Sequence, residues 1–115
     1  MHELSIAFQI IELVLEEAKK HQADTIASVC LHIGKFAGIE RDALYVAMEE
    51  AVRHTSLTHT RWDYIWIDAL MKCEDCAKEF VPDDYFKLCP YCQSVKTIMV
   101  KGRELHIQSI EIEYD

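Results

Sequence analysis

From Leu4 onward the apolar residues recur at helical spacing. Leu4, Phe8, Ile11, Leu15 and Ala18 make one stripe, widened by Ala7 and Val14. Glu12, Glu16, Glu17, Lys19 and Lys20 take the other side, acids early and lysines late, as the helix dipole favours. The spacing predicts a helix over residues 4–21. From Thr25 to Gly34 the period becomes two, with Ala27, Val29, Leu31 and Ile33 on one face and Ser28, Cys30 and His32 on the other. That alternation predicts a half-buried strand. Gly34 and Gly38 bracket a loop, and a second amphipathic helix over residues 41–53 is expected to bury Leu44, Ala47, Met48 and Ala51. A polar connection over 55–60 leads to an aromatic and β-branched run, Trp62 to Ala69, which predicts a second strand. Trp62 and Trp66 share one face of it and are expected to pack in the core or on a helix.

After Lys72 this periodicity stops and two pairs of cysteines appear, with Pro82 between them and Pro90 within the second. From residue 103 a strand pattern resumes through Leu105, Ile107, Ile110 and Ile112, and the slip between Ile107 and Ile110 suggests a bulge near Gln108 and Ser109. The expected fold class is α+β: two helices packed on a three-stranded sheet, with an inserted four-cysteine zinc module. Residues 1–70 plus 103–115 would form the α/β body and residues 71–102 the module, attached through two covalent connections.

The chain has 115 residues, about the size of one domain, and half of them are hydrophobic, enough for an ordinary core. No apolar run approaches the roughly 18 residues of a membrane span. Met1-His2-Glu3 opens straight into a mixed stretch with no secretory signal, so a cytoplasmic protein is expected. A formal net charge of -8 repels phosphate backbones and argues against nucleic acid as a partner. A metal ion or a cationic surface suits it better. The odd number of cysteines, five, argues against a disulfide framework.

Cys73 and Cys76 stand two residues apart, as do Cys89 and Cys92. Two such turns facing each other supply four sulfurs at tetrahedral angles, the coordination Zn(II) accepts readily. A rubredoxin-like iron site uses similar pairs, and Cys89-Pro90-Tyr91-Cys92 also resembles the glutaredoxin redox motif. That motif needs no second pair upstream and should open a helix. A nucleic-acid-binding zinc ribbon would need a basic surface. Residues 72–102 carry five lysines (72, 78, 87, 96, 101) against five acids (74, 75, 79, 83, 84), so no basic patch remains. A closed four-thiolate site leaves no open position for substrate, and its expected role is structural.

The first three residues hold a second set of donors. A free terminal amine, the backbone amide of residue 2 and the His2 imidazole can close a five-membered and then a six-membered chelate ring, with Glu3 as an adjacent oxygen donor. Nitrogen-rich planar or tetragonal sites favour Ni(II) and Cu(II), and a chain end allows ligands to exchange. Read alone, His2 is more often just a solvated residue near a helix start and Glu3 an acid that serves the helix dipole.

Met-His-Glu-Leu-Ser at residues 1–5 resembles the opening of the HypA/HybF family of hydrogenase nickel-incorporation proteins. Further matches are Ile33-Gly34 before Gly38-Ile39, Asp42-Ala43-Leu44, the cysteine pairs with Cys89-Pro90, and the ending Glu104-Leu105 with Ser109-Ile110-Glu111. The resemblance implies a metallochaperone, not an enzyme, that binds transferable Ni(II) through His2 and Glu3, helped by backbone nitrogens. It implies delivery to the large subunit of [NiFe]-hydrogenase, in some relatives to urease, alongside a HypB-type nickel GTPase. It also implies structural Zn(II) on Cys73, Cys76, Cys89 and Cys92. Glu40 stands where an acid before the second helix approaches the nickel in some relatives. Relatives exchange elements between copies, which the attachment of the module would permit here as a homodimer. Two positions depart from the pattern: Gln93 replaces the usual Gly or His after the last cysteine, and Cys30 is an additional cysteine, expected to be a small sheet or core residue.

The remaining histidines have ordinary expected roles. His21 ends the first helix, His32 and His106 lie on polar strand positions, and His54 and His59 flank the polar loop. An enzyme reading, thiol oxidoreductase or metallohydrolase, lacks a nucleophile–base pair and a phosphate-binding glycine loop. A purely structural adaptor would use zinc and acidic helices for docking and carry no nickel.

Overall fold

The computed structural model describes residues 2–83 and 88–114. The order of elements is α1 (Glu3–Lys20), β1 (Thr25–Gly34), α2 (Arg41–Val52), β2 (Arg61–Ile67), β3 (Leu70–Cys73), β4 (Glu79–Phe80), β5 (Thr97–Lys101) and β6 (Leu105–Glu113). The strands form two three-stranded sheets, of order β2-β1-β6 and β4-β3-β5. The fold is α+β, as expected. Among the described residues no helix is long and apolar enough to cross a membrane.

Contacts between residues divide the chain into two compact units. One comprises Met1–Leu31, Ile39–Ile65 and His106–Asp115, the other His32–Gly38 and Trp66–Leu105. The cysteine pairs lie in the second of these units, and the chain passes between the units at four points.

In the first unit the core is made by Ala7, Ile10, Ile11 and Val14 of α1, Leu44, Ala47, Met48 and Ala51 of α2, and Ile26, Val29 and Leu31 of β1. The α2 positions are those its periodicity marks. The α1 stripe is turned from the expected one: Leu4 and Phe8 are 48% and 51% exposed, and Glu3 is buried with Ala7, Ile10, Ile11 and Val14. Apolar residues cover more than one face of this helix, so periodicity bounds the stripe without fixing its centre. Small Ala7 and β-branched Ile10, Ile11 and Val14 fill the interior. On β1, Ser28 is buried although it lies on the polar face, because its hydroxyl donates to the Glu111 carboxylate of the neighbouring β6 at 3.1 Å. On β6 the half-buried positions are Ile107, Ile110 and Ile112, with the same slip in phase that the sequence carries.

The second unit has a small core that the sequence pattern did not mark. Met71, Cys73, Phe80 and Cys89 are buried, with Cys76 and Met99 packed against them. β3 pairs antiparallel with β4 (Met71 opposite Phe80) and with β5 (Met71 opposite Met99, Cys73 opposite Thr97). Gly34 and Gly102 permit a close backbone approach here. The N–H of Gly34 donates to Glu104 O and that of Phe36 to Gly102 O, both at 2.7 Å. A Cβ on Gly34 would run into the Gly102 carbonyl, and Gly102 itself has φ +129°, open to glycine and hardly to other residues.

Candidate metal centre

The cysteine pairs sit on two turns built alike. The Cys73 turn is closed by the N–H of Ala77 donating to Cys73 O at 2.9 Å and that of Cys73 donating to Lys78 O at 3.0 Å. The Cys89 turn repeats both bonds: Gln93 N–H to Cys89 O at 2.8 Å, and Cys89 N–H to Ser94 O at 3.0 Å. The residue after each second cysteine takes a left-handed conformation, Ala77 at φ 65° and Gln93 at φ 61°. This identifies what the unusual Gln93 does: it occupies a position that glycine would fill without a Cβ penalty. Ser94 ties the turns together, since its hydroxyl donates to the Asp75 carboxylate between the first two cysteines.

These turns bring all four sulfurs within 4.8 Å of one another. Cys73 and Cys92 sulfurs are 3.6 Å apart and those of Cys76 and Cys89 3.7 Å. Ligands ~2.3 Å from a tetrahedral zinc lie about 3.8 Å from each other, so the cluster fits such an ion. The thiol chemistry agrees. The backbone N–H of Cys76, 3.5 Å from the Cys73 sulfur, brings the Cys73 pKa down to about 7. At Cys92 the N–H of Ser94 acts in the same direction, but the sulfur of Cys73, burial, and the sulfurs of Cys89 and Cys76 outweigh it and push the pKa up to about 12. Four thiols this close do not all ionise unaided; a bound cation would let them. Cys73 and Cys89 are buried, and Cys92 is the exposed edge of the cluster. Cys30 stands apart on β1, half-buried. Among the described residues this is the one group of three or more His, Cys, Asp or Glu side chains arranged to hold a metal.

At the chain start, His2 is the N-cap of α1. It is exposed, its side chain makes no capping bond, and its carbonyl accepts the Ile6 N–H at 3.0 Å. The terminal amine of Met1 lies outside the described residues. Glu3 is 5% exposed and its carboxylate accepts the backbone N–H of Glu40 at 3.0 Å. That bond holds the Glu3 carboxyl well below the usual range, at about 2. Glu40 in turn caps α2, its two carboxylate oxygens accepting from Asp42 N at 3.3 Å and Ala43 N at 2.6 Å. The fold thus brings Glu3 to the residue before α2 and gives both acids backbone partners. Residues 3 and 40 belong to separate elements, and neither periodicity nor spacing pairs them; only the family resemblance places both acids toward one metal.

Residues 1–112 match the family model described as hydrogenase/urease nickel incorporation, metallochaperone, hypA. The chain belongs to the HypA family. It is 37% identical over 113 residues to a hydrogenase maturation factor HypA of Chlorobium phaeobacteroides, covering 98% of this chain and 100% of that protein. It is 36% identical over 113 residues to the HypA of Parabacteroides distasonis, covering 98% of each. The solution structure of the Ni metallochaperone HypA from Helicobacter pylori superposes with a TM-score of 0.70 at 27% identity, over 100% of both chains. HypA proteins are metallochaperones and maturation factors for hydrogenase, and the chain is not a catalytic enzyme.

Proposed function

We propose that this HypA carries Ni(II) at its first residues and delivers it to the large subunit of [NiFe]-hydrogenase during maturation in the cytoplasm. The terminal amine, the backbone amide of His2 and the His2 imidazole are the nitrogen donors, with Glu3 as the adjacent oxygen donor. The observation that carries this reading is the exposed His2 imidazole, free of any capping bond, at the start of α1 and next to an ionised Glu3. A donor set on a chain end releases its ion more readily than a closed cage, as a carrier requires. Glu40 is the weaker ligand: to reach the metal it would release the Asp42 and Ala43 N–H groups it caps.

Zn(II) on Cys73, Cys76, Cys89 and Cys92 is the resident metal of residues 71–102; its chemistry is to neutralise the thiolates and fix the two turns. Residues 1–70 with 103–115 are the nickel-carrying part. The partners are a HypB-type GTPase and the hydrogenase subunit, and a second copy of the chain is a further partner through exchanged elements. Urease is a second client by the family's description.

The test is nickel binding by untagged, reduced protein in equilibrium dialysis. One Ni(II) per chain is expected, lost in His2→Ala and lost when residues are added before Met1, which removes the amine and leaves every side chain in place. Binding should also weaken as pH falls, because amine and imidazole must give up protons to ligate. Nickel held equally well by the extended chain overturns the reading.

A further inference from the structure

Between α2 and β2 the first unit holds a cavity of about 500 Å³ that the nickel reading does not use. Its walls include Tyr45, Met48 and Glu49 from α2 and Trp62 and Tyr64 from β2. The Tyr45 and Tyr64 rings meet edge to face, with centroids 4.7 Å apart. Burial, first, then Tyr45 and Glu49, push the Tyr64 hydroxyl up to about 12, so it stays protonated. Among the described residues of the lining Glu49 is the one charged side chain, and it is exposed.

Aromatic faces are electronegative and attract cations, and a carboxylate beside them strengthens that preference. A guanidinium suits such walls better than an ammonium, because it is planar and stacks on rings. Two further features favour a peptide over a free cation. Among the described residues the buried Trp62 indole N–H has no acceptor, so a ligand carbonyl is the group it lacks. β2 is also an outer strand in the order β2-β1-β6, which leaves one side of Arg61–Ile67 outside the sheet for an extended segment. A second copy of this chain would bring another net charge of -8, so at this cavity charge favours a basic partner over a second copy.

We infer that this cavity receives an arginine side chain from an extended segment of a partner protein, with Tyr45, Trp62 and Tyr64 as the aromatic walls and Glu49 as the counter-charge. The inference is independent of the nickel site.

The probe is an acetylated, amidated Val-Arg-Val tripeptide titrated into the full-length protein and followed by amide and indole NMR shifts. The neutral isostere is Val-citrulline-Val. Saturable shifts are expected at the Trp62 indole N–H and the amides of Tyr45, Glu49 and Tyr64. The arginine peptide should bind about 2- to 30-fold more tightly than the citrulline one. Glu49→Gln, an exposed change that leaves the rest of the spectrum in place, should remove most of that difference. Equal affinity for the two peptides, shifts centred elsewhere, no saturation, or closure of the cavity by dimerisation in sedimentation would each overturn the inference.

Discussion

The carboxylate of Glu3, at the first turn of α1, accepts the backbone N–H of Glu40, which itself caps α2. One acid thus fastens the two helix starts together across 37 residues of chain, beside the residue proposed to carry nickel. Glu3→Gln keeps the shape and removes the charge. It should lower the thermal midpoint by a few degrees and weaken nickel binding together, read by calorimetry and dialysis on the same preparation. A drop in nickel binding alone would separate ligand from fastener. The sign with pH follows from the depressed carboxyl, about 2 against an ordinary 4.5. Its stabilisation is full above pH 4.5 and fades as pH falls toward 2, so the gap between wild type and Glu3→Gln should narrow over that interval.

Replacing Gln93 by Gly should stabilise the metal-bound protein by about 1 kcal/mol, since a non-glycine side chain in the left-handed region carries a cost of that order. Ala77→Gly should act in the same direction at the matching place. The measurement is denaturant unfolding with metal retained. Gln93→Val, β-branched at the same φ of 61°, should destabilise.

Gly34→Ala should cost more than about 2 kcal/mol, because the new Cβ meets the Gly102 carbonyl, which the Phe36 N–H already holds. Unfolding curves would read it. Full stability in this variant would mean that the backbone crossing relaxes freely.

Metal analysis of protein purified without added metal should find one zinc per chain and no iron. A strong chelator should raise the number of reactive thiols to all five cysteines, while in the untreated protein metal ligation should mask the exposed Cys92 with its three partners and leave at most Cys30 to react. Any one of Cys73, Cys76, Cys89 or Cys92 changed to Ser should lower zinc retention and loosen the β4-β3-β5 sheet. Reactive thiols without chelator would favour the redox alternative instead.

How much of this was legible in the residues differs by element. The alternation in β1 marks its bounds, Thr25–Gly34, because Ala27, Val29, Leu31 and Ile33 keep one face apolar. The helix bounds fall within a residue of those the periodicity predicts. The rotation of α1 was not legible, because Leu4 and Phe8 are as apolar as the residues that bury. β3, β4 and β5 escaped because strands of four, two and five residues are too short to show a period. The convergence of the four cysteines could be read from spacing alone. The Glu3–Glu40 bond could not, since it depends on how α1 meets α2. Gln93 stood out as unusual, but only its φ explains what the position demands.

The matched turns around Cys73 and Cys89 are each closed by their own main-chain bonds, whatever side chains lie between the ligands: Glu74 and Asp75 in one, Pro90 and Tyr91 in the other. Each behaves as an interchangeable part. A six-residue loop cut from one position should graft onto the other and still present two sulfurs at the same angle, which leaves the intervening residues, Asp75 with its bond to Ser94 excepted, free to vary with whatever surface the protein must offer.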